Sequence, residues 1–227
     1  MPTDKDFKAL LRPLLKRRPD LAFQRRVLFF VPVTHYLRCV MFPEGAHTRT
    51  VQVTASVNQL FSGGSHLDFG NNACQQPSFY IAPNAIRDPE TCEATIHRIE
   101  AEFLPLVESV RDPASHQAIP ACFRGNNRGG YVRRQTKALD DCFVGDFDSA
   151  QRELALNEEE VPEYAAGQVT EEHKFHPLYH WRMAYLLRVL QTDRKRVPEL
   201  LHEWEAYTVK AEKLIKYWQP TPFPCEK

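Results

Sequence analysis

Alternation of apolar and polar residues in the first half of the chain predicts β-strands. The clearest case is 50–58, where apolar residues at odd positions alternate with polar residues at even positions. This pattern predicts a strand with one packed face and one face in water. Because most connections are short, we expect antiparallel neighbours. A four-stranded sheet is therefore predicted from 23–33, 35–42, 50–58 and 78–82.

Helical spacing predicts two helices that flank this sheet. Apolar residues recur at intervals of three and four over 4–18, and again from Asp88 onward. Asp88 followed by Pro89 is a typical helix beginning, with Asp as the cap and Pro in the first turn. Pro13 and Pro105 each remove a backbone donor, so we expect a bend or a break at both positions.

The second half of the chain has helical spacing almost throughout. It predicts helices over 131–144, 148–157, 178–192 and 197–218. We therefore divide the chain into an α+β sheet domain (1–118), a Gly/Arg-rich linker (119–130) and a helical domain (131–227). The predicted fold class is α+β: an antiparallel four-stranded sheet with flanking helices, followed by an all-helical C-terminal half.

The composition is that of a folded protein and carries no overall charge. Of the 227 residues, 43% are hydrophobic and 26% are charged, which argues against general disorder. The 29 basic and 29 acidic residues balance, so net charge attracts neither nucleic acid nor an anionic membrane. No apolar run approaches the roughly 18 residues of a membrane-spanning helix, so we expect no membrane insertion.

Cysteine spacing and the first residues of the chain predict the compartment. The six cysteines are widely separated, with no CxxC pair and no zinc-finger spacing. The first residues are charged and contain no apolar stretch typical of a secretory signal. We therefore expect reduced thiols in a cytoplasmic protein, and we expect no cofactor.

Three histidines in the second half form a candidate metal site. His173, His176 and His180 follow closely after Glu172, and imidazole and carboxylate groups are ligands that zinc prefers. The spacing matches no named zinc motif, and HExxH is absent. The alternative interpretation, which we favour, is a polar loop that enters a helix.

Two neighbouring charged stretches predict a contact surface for a partner. The basic stretch contains Arg124, Arg128, Arg133 and Arg134, and the acidic stretch contains Asp140 and Asp141. Opposite charges so close together suit electrostatic recognition of another protein. A second hypothesis is nucleic-acid binding through the basic loop 124–137, whose arginines could bind phosphates. The zero net charge argues against that hypothesis.

The loop 62–72 adds two residues to the predicted partner-binding set. His66 and Asp68 lie in this loop together with serines, and a loop of this length can make contacts. Ser, His and Asp also form catalytic triads, but no G-x-S-x-G motif occurs in the chain. A plain connection between strands is the alternative interpretation.

The order of elements in the first half carries a resemblance to a known group of domains. A helix ending in Lys16-Arg17-Arg18 is followed by a strand over 23–33, a strand over 51–58, the loop 62–72 and a helix from Asp88. This order resembles small bacterial α+β domains of unknown function, some of which resemble immunity proteins encoded beside secreted polymorphic toxins. The resemblance covers about residues 4–115, and it carries over no catalytic residue.

These observations lead to one functional hypothesis and two alternatives. We expect a protein-binding module, and the resemblance implies an immunity protein that neutralises a cognate toxin by covering its active site. One alternative is a metal-dependent enzyme that uses His173, His176 and His180. The other is the nucleic-acid binder described above. The absence of catalytic signatures favours a binding protein over an enzyme.

Overall fold

The computed structural model divides into two compact units, which we describe separately. It describes residues 2–44, 50–64, 78–118, 130–160 and 169–227. The first unit comprises Met1–Asn58 and Asn72–Asn126, and the second comprises Gln59–Asn71 and Asn127–Lys227. Within the described residues, 59–64 group with the second unit. Nearly all of the predicted linker lies outside the described residues.

A five-stranded antiparallel sheet forms the centre of the first unit. Its strands follow chain order: β1 (Leu21–Gln24), β2 (Val27–Phe30), β3 (Tyr36–Met41), β4 (Val51–Gln59) and β5 (Ser78–Ile81). The α+β class is confirmed, but the predicted number of four strands is wrong. The segment 23–33 contains a hairpin, because Arg25 and Arg26 adopt positive φ angles of 49° and 61°. Two such residues make the turn that matches the twist of paired strands.

Helices of the first unit begin largely where the sequence predicts. These helices are α1 (Asp4–Arg17), α2 (Pro89–Arg98), α3 (Leu104–Glu108) and α4 (Pro113–Ala118). Thr3 caps α1 in a reciprocal capping box with Asp6, and Pro13 does not split this helix. Pro105 does not break the chain of helices: a π-helical turn over Ile99–Phe103 joins α2 to α3 with helical backbone angles, and Pro105 lies in the first turn of α3.

The polar face of β4 is buried, which contradicts the expectation that it meets water. Thr54, Ser56 and Asn58 are all almost inaccessible to solvent. Asn58 Nδ2 donates to Ser56 Oγ at 2.9 Å, so part of this polar face satisfies itself. The apolar positions of the strand join a core that includes Phe7, Phe23 and Phe42 in mutual ring contact.

The second unit is helical and includes the segment that follows β4. Its helices are α5 (Gly130–Val144), α6 (Phe147–Glu160), α7 (Tyr179–Thr192) and α8 (Val197–Ala211), and 3₁₀ turns cover Leu60–Ser62, Glu171–Phe175, Arg194–Arg196, Ile215–Tyr217 and Pro224–Glu226. The helix predicted over 197–218 ends early, at Ala211. Lys213 adopts a positive φ of 58° soon after, which an α-helix does not contain.

Two buried contacts join the segment after β4 to the rest of the second unit. The Trp204 indole is completely buried and lies against Gly63. Phe61 packs against Phe143 and Phe223, with ring centroids 5.4 and 5.6 Å away.

Within the described residues, every helix is too short or too polar to cross a bilayer.

Candidate functional site

The three predicted histidines do come together, and they surround the side chain of Trp181. The imidazole centroids of His173, His176 and His180 lie 4.4, 5.9 and 6.1 Å from the indole centroid. His173 and His176 also stack on each other at 5.7 Å. All four side chains are partly exposed. We call these four residues the imidazole–indole cluster.

Local backbone structure positions two of the imidazoles. Thr170 caps the turn Glu171–Phe175, and the Thr170 N–H donates to Nδ1 of His173 at 3.1 Å. His173 thus takes the place that Glu or Gln holds in the usual capping box. The Leu178 N–H donates to Nδ1 of His176 at 3.2 Å. Both rings are therefore fixed by backbone donors.

Buried side chains hold the backbone of this segment from the core side. The Arg182 guanidinium donates to the carbonyl oxygens of His176 and Pro177, at 2.6 and 3.1 Å, and to that of Ser62 at 2.9 Å. The Trp204 Nε1–H donates to the Lys174 carbonyl at 2.7 Å. A loop fixed by so many bonds presents its side chains in a defined arrangement, which lowers the entropy cost of binding.

The metal hypothesis does not fit this geometry. Nδ1 of His173 and Nδ1 of His176 accept backbone hydrogen bonds, so these lone pairs are not available to a metal. The rings lie against the indole instead of converging on a common point. Across the part of the chain that the structure describes, no three His, Cys, Asp or Glu side chains are placed to hold one ion. Glu172, the proposed fourth ligand, is exposed.

An exposed aliphatic side chain adjoins the imidazole–indole cluster along the chain. Leu178 is 52% exposed, although it directly precedes α7 and follows His176 by two residues. Phe175 is 37% exposed and places its ring 4.8 Å from that of Tyr207. We call the cluster together with Leu178 the Trp181 surface. Apolar and aromatic side chains of this kind, exposed on fixed backbone, are typical of protein contact sites.

An ion pair anchors the beginning of the same segment. Glu171 accepts hydrogen bonds from the Tyr185 hydroxyl at 2.8 Å and pairs with Arg196 at 3.1 Å. The bonds from Arg196 and Tyr185 lower the pKa of Glu171. Burial raises the pKa of Tyr185 to about 12, and its bond to Glu171 contributes to the rise. Tyr185 therefore stays protonated, and Glu171 stays charged, over the physiological range.

The predicted acidic patch is not an exposed surface. Asp140 and Asp141 are only 1% and 8% exposed. Asp140 accepts a hydrogen bond from Gln59 at 2.7 Å, and Asp141 pairs with Lys137 at 2.6 Å. Both carboxylates face inward because the last residue of β4 and the neighbouring turn of α5 supply their donors. They act inside the second unit and are not available to a partner.

Only part of the predicted basic stretch is described. Arg133 is exposed and Arg134 is partly exposed near the start of α5. Lys137, one turn later, pairs with Asp141 and Glu153, so its charge is largely neutralised. The other predicted partner-binding residues, Arg124, Arg128, His66 and Asp68, lie outside the described residues.

The first unit carries a groove that the sequence does not reveal. Its volume is about 650 Å³, and it lies between α1 and the segment 85–100. Ion pairs join the two walls: Arg87 with Asp6 near the first turn of α1, and Arg17 with Glu100 at its last residue. These partners are 81 and 83 positions apart in the chain, so no local pattern predicts the groove.

In comparisons with known proteins, no family model, no curated protein and no solved structure matches this chain. The function must therefore be inferred from the residues and their geometry.

Proposed function

We propose that the chain is a protein-binding module and that the Trp181 surface is its contact site. The observation that carries this proposal is the exposed Leu178, three residues before the partly exposed Trp181, on backbone fixed by Arg182 and Trp204. Tryptophan is among the residues that dominate the binding energy of protein interfaces. A fixed loop loses little entropy on binding, so apolar contact area there contributes efficiently to affinity.

The resemblance of the first half of the chain to small bacterial α+β domains indicates the class of partner. Domains of that kind include immunity-like proteins, so we propose a secreted toxin as the partner. Neutralisation requires only a surface that covers the active site of the toxin, and it requires no catalytic group in this chain. We place this activity in the cytoplasm, because widely spaced cysteines are typical of reduced thiols.

Site-specific crosslinking tests the contact site. A photo-crosslinking amino acid replaces Leu178 in one full-length variant and Ile215 in a matched control, because Ile215 is 60% exposed and lies in the same unit. We expect one crosslinked protein from position 178 and not from position 215. Equal crosslinking from both positions would contradict the proposal.

Affinity measurements on the crosslinked partner complete the test. We expect Leu178→Asp to weaken the Kd at least tenfold and Ile215→Asp to leave it unchanged, by isothermal titration calorimetry. If the partner is a toxin, its expression arrests growth, the wild-type chain restores growth, and the Leu178→Asp variant does not. A partner that binds but causes no arrest would retain the binding function and refute the immunity role.

A further inference from the structure

Three arginine side chains converge in the first unit. The guanidinium carbons of Arg18 and Arg38 lie 5.7 and 4.9 Å from the centroid of the Phe30 ring. Arg18 and Arg111 both approach Glu108, at 3.6 Å each. We call Arg18, Arg38 and Arg111 the guanidinium cluster. It is contributed by the C-terminal cap of α1, by β3 and by the chain just after α3.

The carboxylates near this cluster are already paired with Arg18 and Arg111, and none pairs with Arg38 among the described residues. Asp20 accepts two hydrogen bonds from Arg18, at 2.9 and 2.7 Å, which is a bidentate pair. Glu108 is shared between Arg18 and Arg111. Arg38 has no ion pair within the part of the chain that the structure describes, and its Nη1 is shielded from solvent and donates to no acceptor there.

Arg38 is partly exposed, and only its Nη1 is both shielded and without an acceptor among the described residues. Removing a charged group from water without a partner is unfavourable. Burial lowers the pKa of Arg38, and the positive charge of Arg111 lowers it further, while Glu108 and Asp20 only partly oppose these effects. The guanidinium carbon of Arg38 lies over the Phe30 ring, a cation–π contact that uses no N–H donor in a hydrogen bond.

We propose that Arg38 and Arg111 bind an oxyanion, the carboxylate or phosphate group of a small molecule. Arg38 provides a fixed fork on the sheet, and planar forks match the oxygens of both groups. Arg111 is 61% exposed and only loosely paired with Glu108, so it can turn toward the anion at little cost. Arg18 stays paired with Asp20, which largely neutralises its charge, so Arg38 and Arg111 supply the contacts. The site is independent of the Trp181 surface.

Titration of the full-length protein with inorganic phosphate and with acetate tests this site. Both anions are added at constant ionic strength in chloride buffer, and binding is measured by calorimetry and by the shift in melting temperature. The variants are Arg38→Gln and Arg111→Gln. Arg87→Gln is the matched control, because Arg87 is an exposed arginine of the same unit that pairs with Asp6 outside the cluster.

We expect saturable binding to the wild type, a Kd at least tenfold weaker in both cluster variants, and an unchanged Kd in the control. Phosphate binding without acetate binding identifies a phosphate site, and binding of both identifies a general carboxylate or phosphate site. If Arg38→Gln does not fold, the exposed Arg111→Gln variant decides the result. No saturable binding of either anion, or equal binding by wild type and Arg111→Gln, would overturn the proposal.

Discussion

Replacing Gly63 by alanine tests how the segment after β4 is fixed in the second unit. Gly63 has φ of +72°, and a Cβ added there lies 2.8 Å from Cγ of Trp204. A left-handed conformation costs an L-residue about 1–2 kcal/mol. Forcing a methyl group against a fully buried indole adds about 1–3 kcal/mol. We therefore expect Gly63→Ala to lower the free energy of unfolding of the second unit by about 2–5 kcal/mol.

Gly145→Ala provides the matched control for this substitution. Gly145 has φ of +91°, but a Cβ there approaches only Cys225, at 3.4 Å, which is close to ordinary contact. Its φ lies further from the left-handed optimum near +57°, so its backbone cost is at least as large. The loss of unfolding free energy in Gly63→Ala beyond that in Gly145→Ala therefore measures the steric conflict with Trp204.

Tryptophan fluorescence in urea is the appropriate assay. All three tryptophans of the chain, Trp181, Trp204 and Trp218, belong to the second unit, so their emission follows the unfolding of that unit alone. We expect Gly63→Ala to have the lower urea midpoint with an unchanged slope. A Gly63→Ala midpoint equal to or above that of Gly145→Ala would refute the packing of Gly63 on Trp204.

Two further predictions concern groups with shifted pKa values. Because the pKa of Tyr185 is about 12 in the folded protein and about 10 when unfolded, the folded state keeps a proton that the unfolded chain releases, so stability falls between pH 10 and 12. Urea titrations at pH 9 and pH 11 should show a smaller alkaline loss for Tyr185→Phe, and identical losses would contradict this account. Burial raises the pKa of Cys39 to about 12, and Cys142 is also buried, so of the four cysteines that the structure describes, a thiol reagent should label the partly exposed Cys92 and Cys225 before Cys39 and Cys142. Peptide mass spectrometry measures the four rates, and equal rates would show that the core opens faster than it is labelled.

Local patterns predicted the elements whose signals lie within a few residues. The alternation over 50–58 predicted β4, and Asp88 with Pro89 predicted the beginning of α2. The hairpin at Arg25 and Arg26 was missed because two arginines are not typical of a turn that requires positive φ angles. Around this turn the sequence shows only a continuous apolar segment, which is equally typical of one long strand and of a hairpin.

The site was only partly predictable, because its chemistry depends on distant contacts. Closeness in sequence correctly grouped His173, His176 and His180. Their contact with Trp181 depends on the capping geometry at Thr170, which residue spacing does not reveal. The sequence predicts a surface charge at Asp140, because its donor, Gln59, lies 81 positions earlier in the chain.

The packing of Phe61 on Phe223 sets an order of events during synthesis. The two rings lie 5.6 Å apart in the folded second unit but are separated by most of the chain. Phe61 is synthesised well before residue 223, so its apolar ring lacks this partner until residue 223 has emerged from the ribosome. Contacts of such long range form slowly, and exposed apolar segments invite aggregation meanwhile. We therefore expect the core of the second unit to be completed only after residue 223 has been synthesised and released.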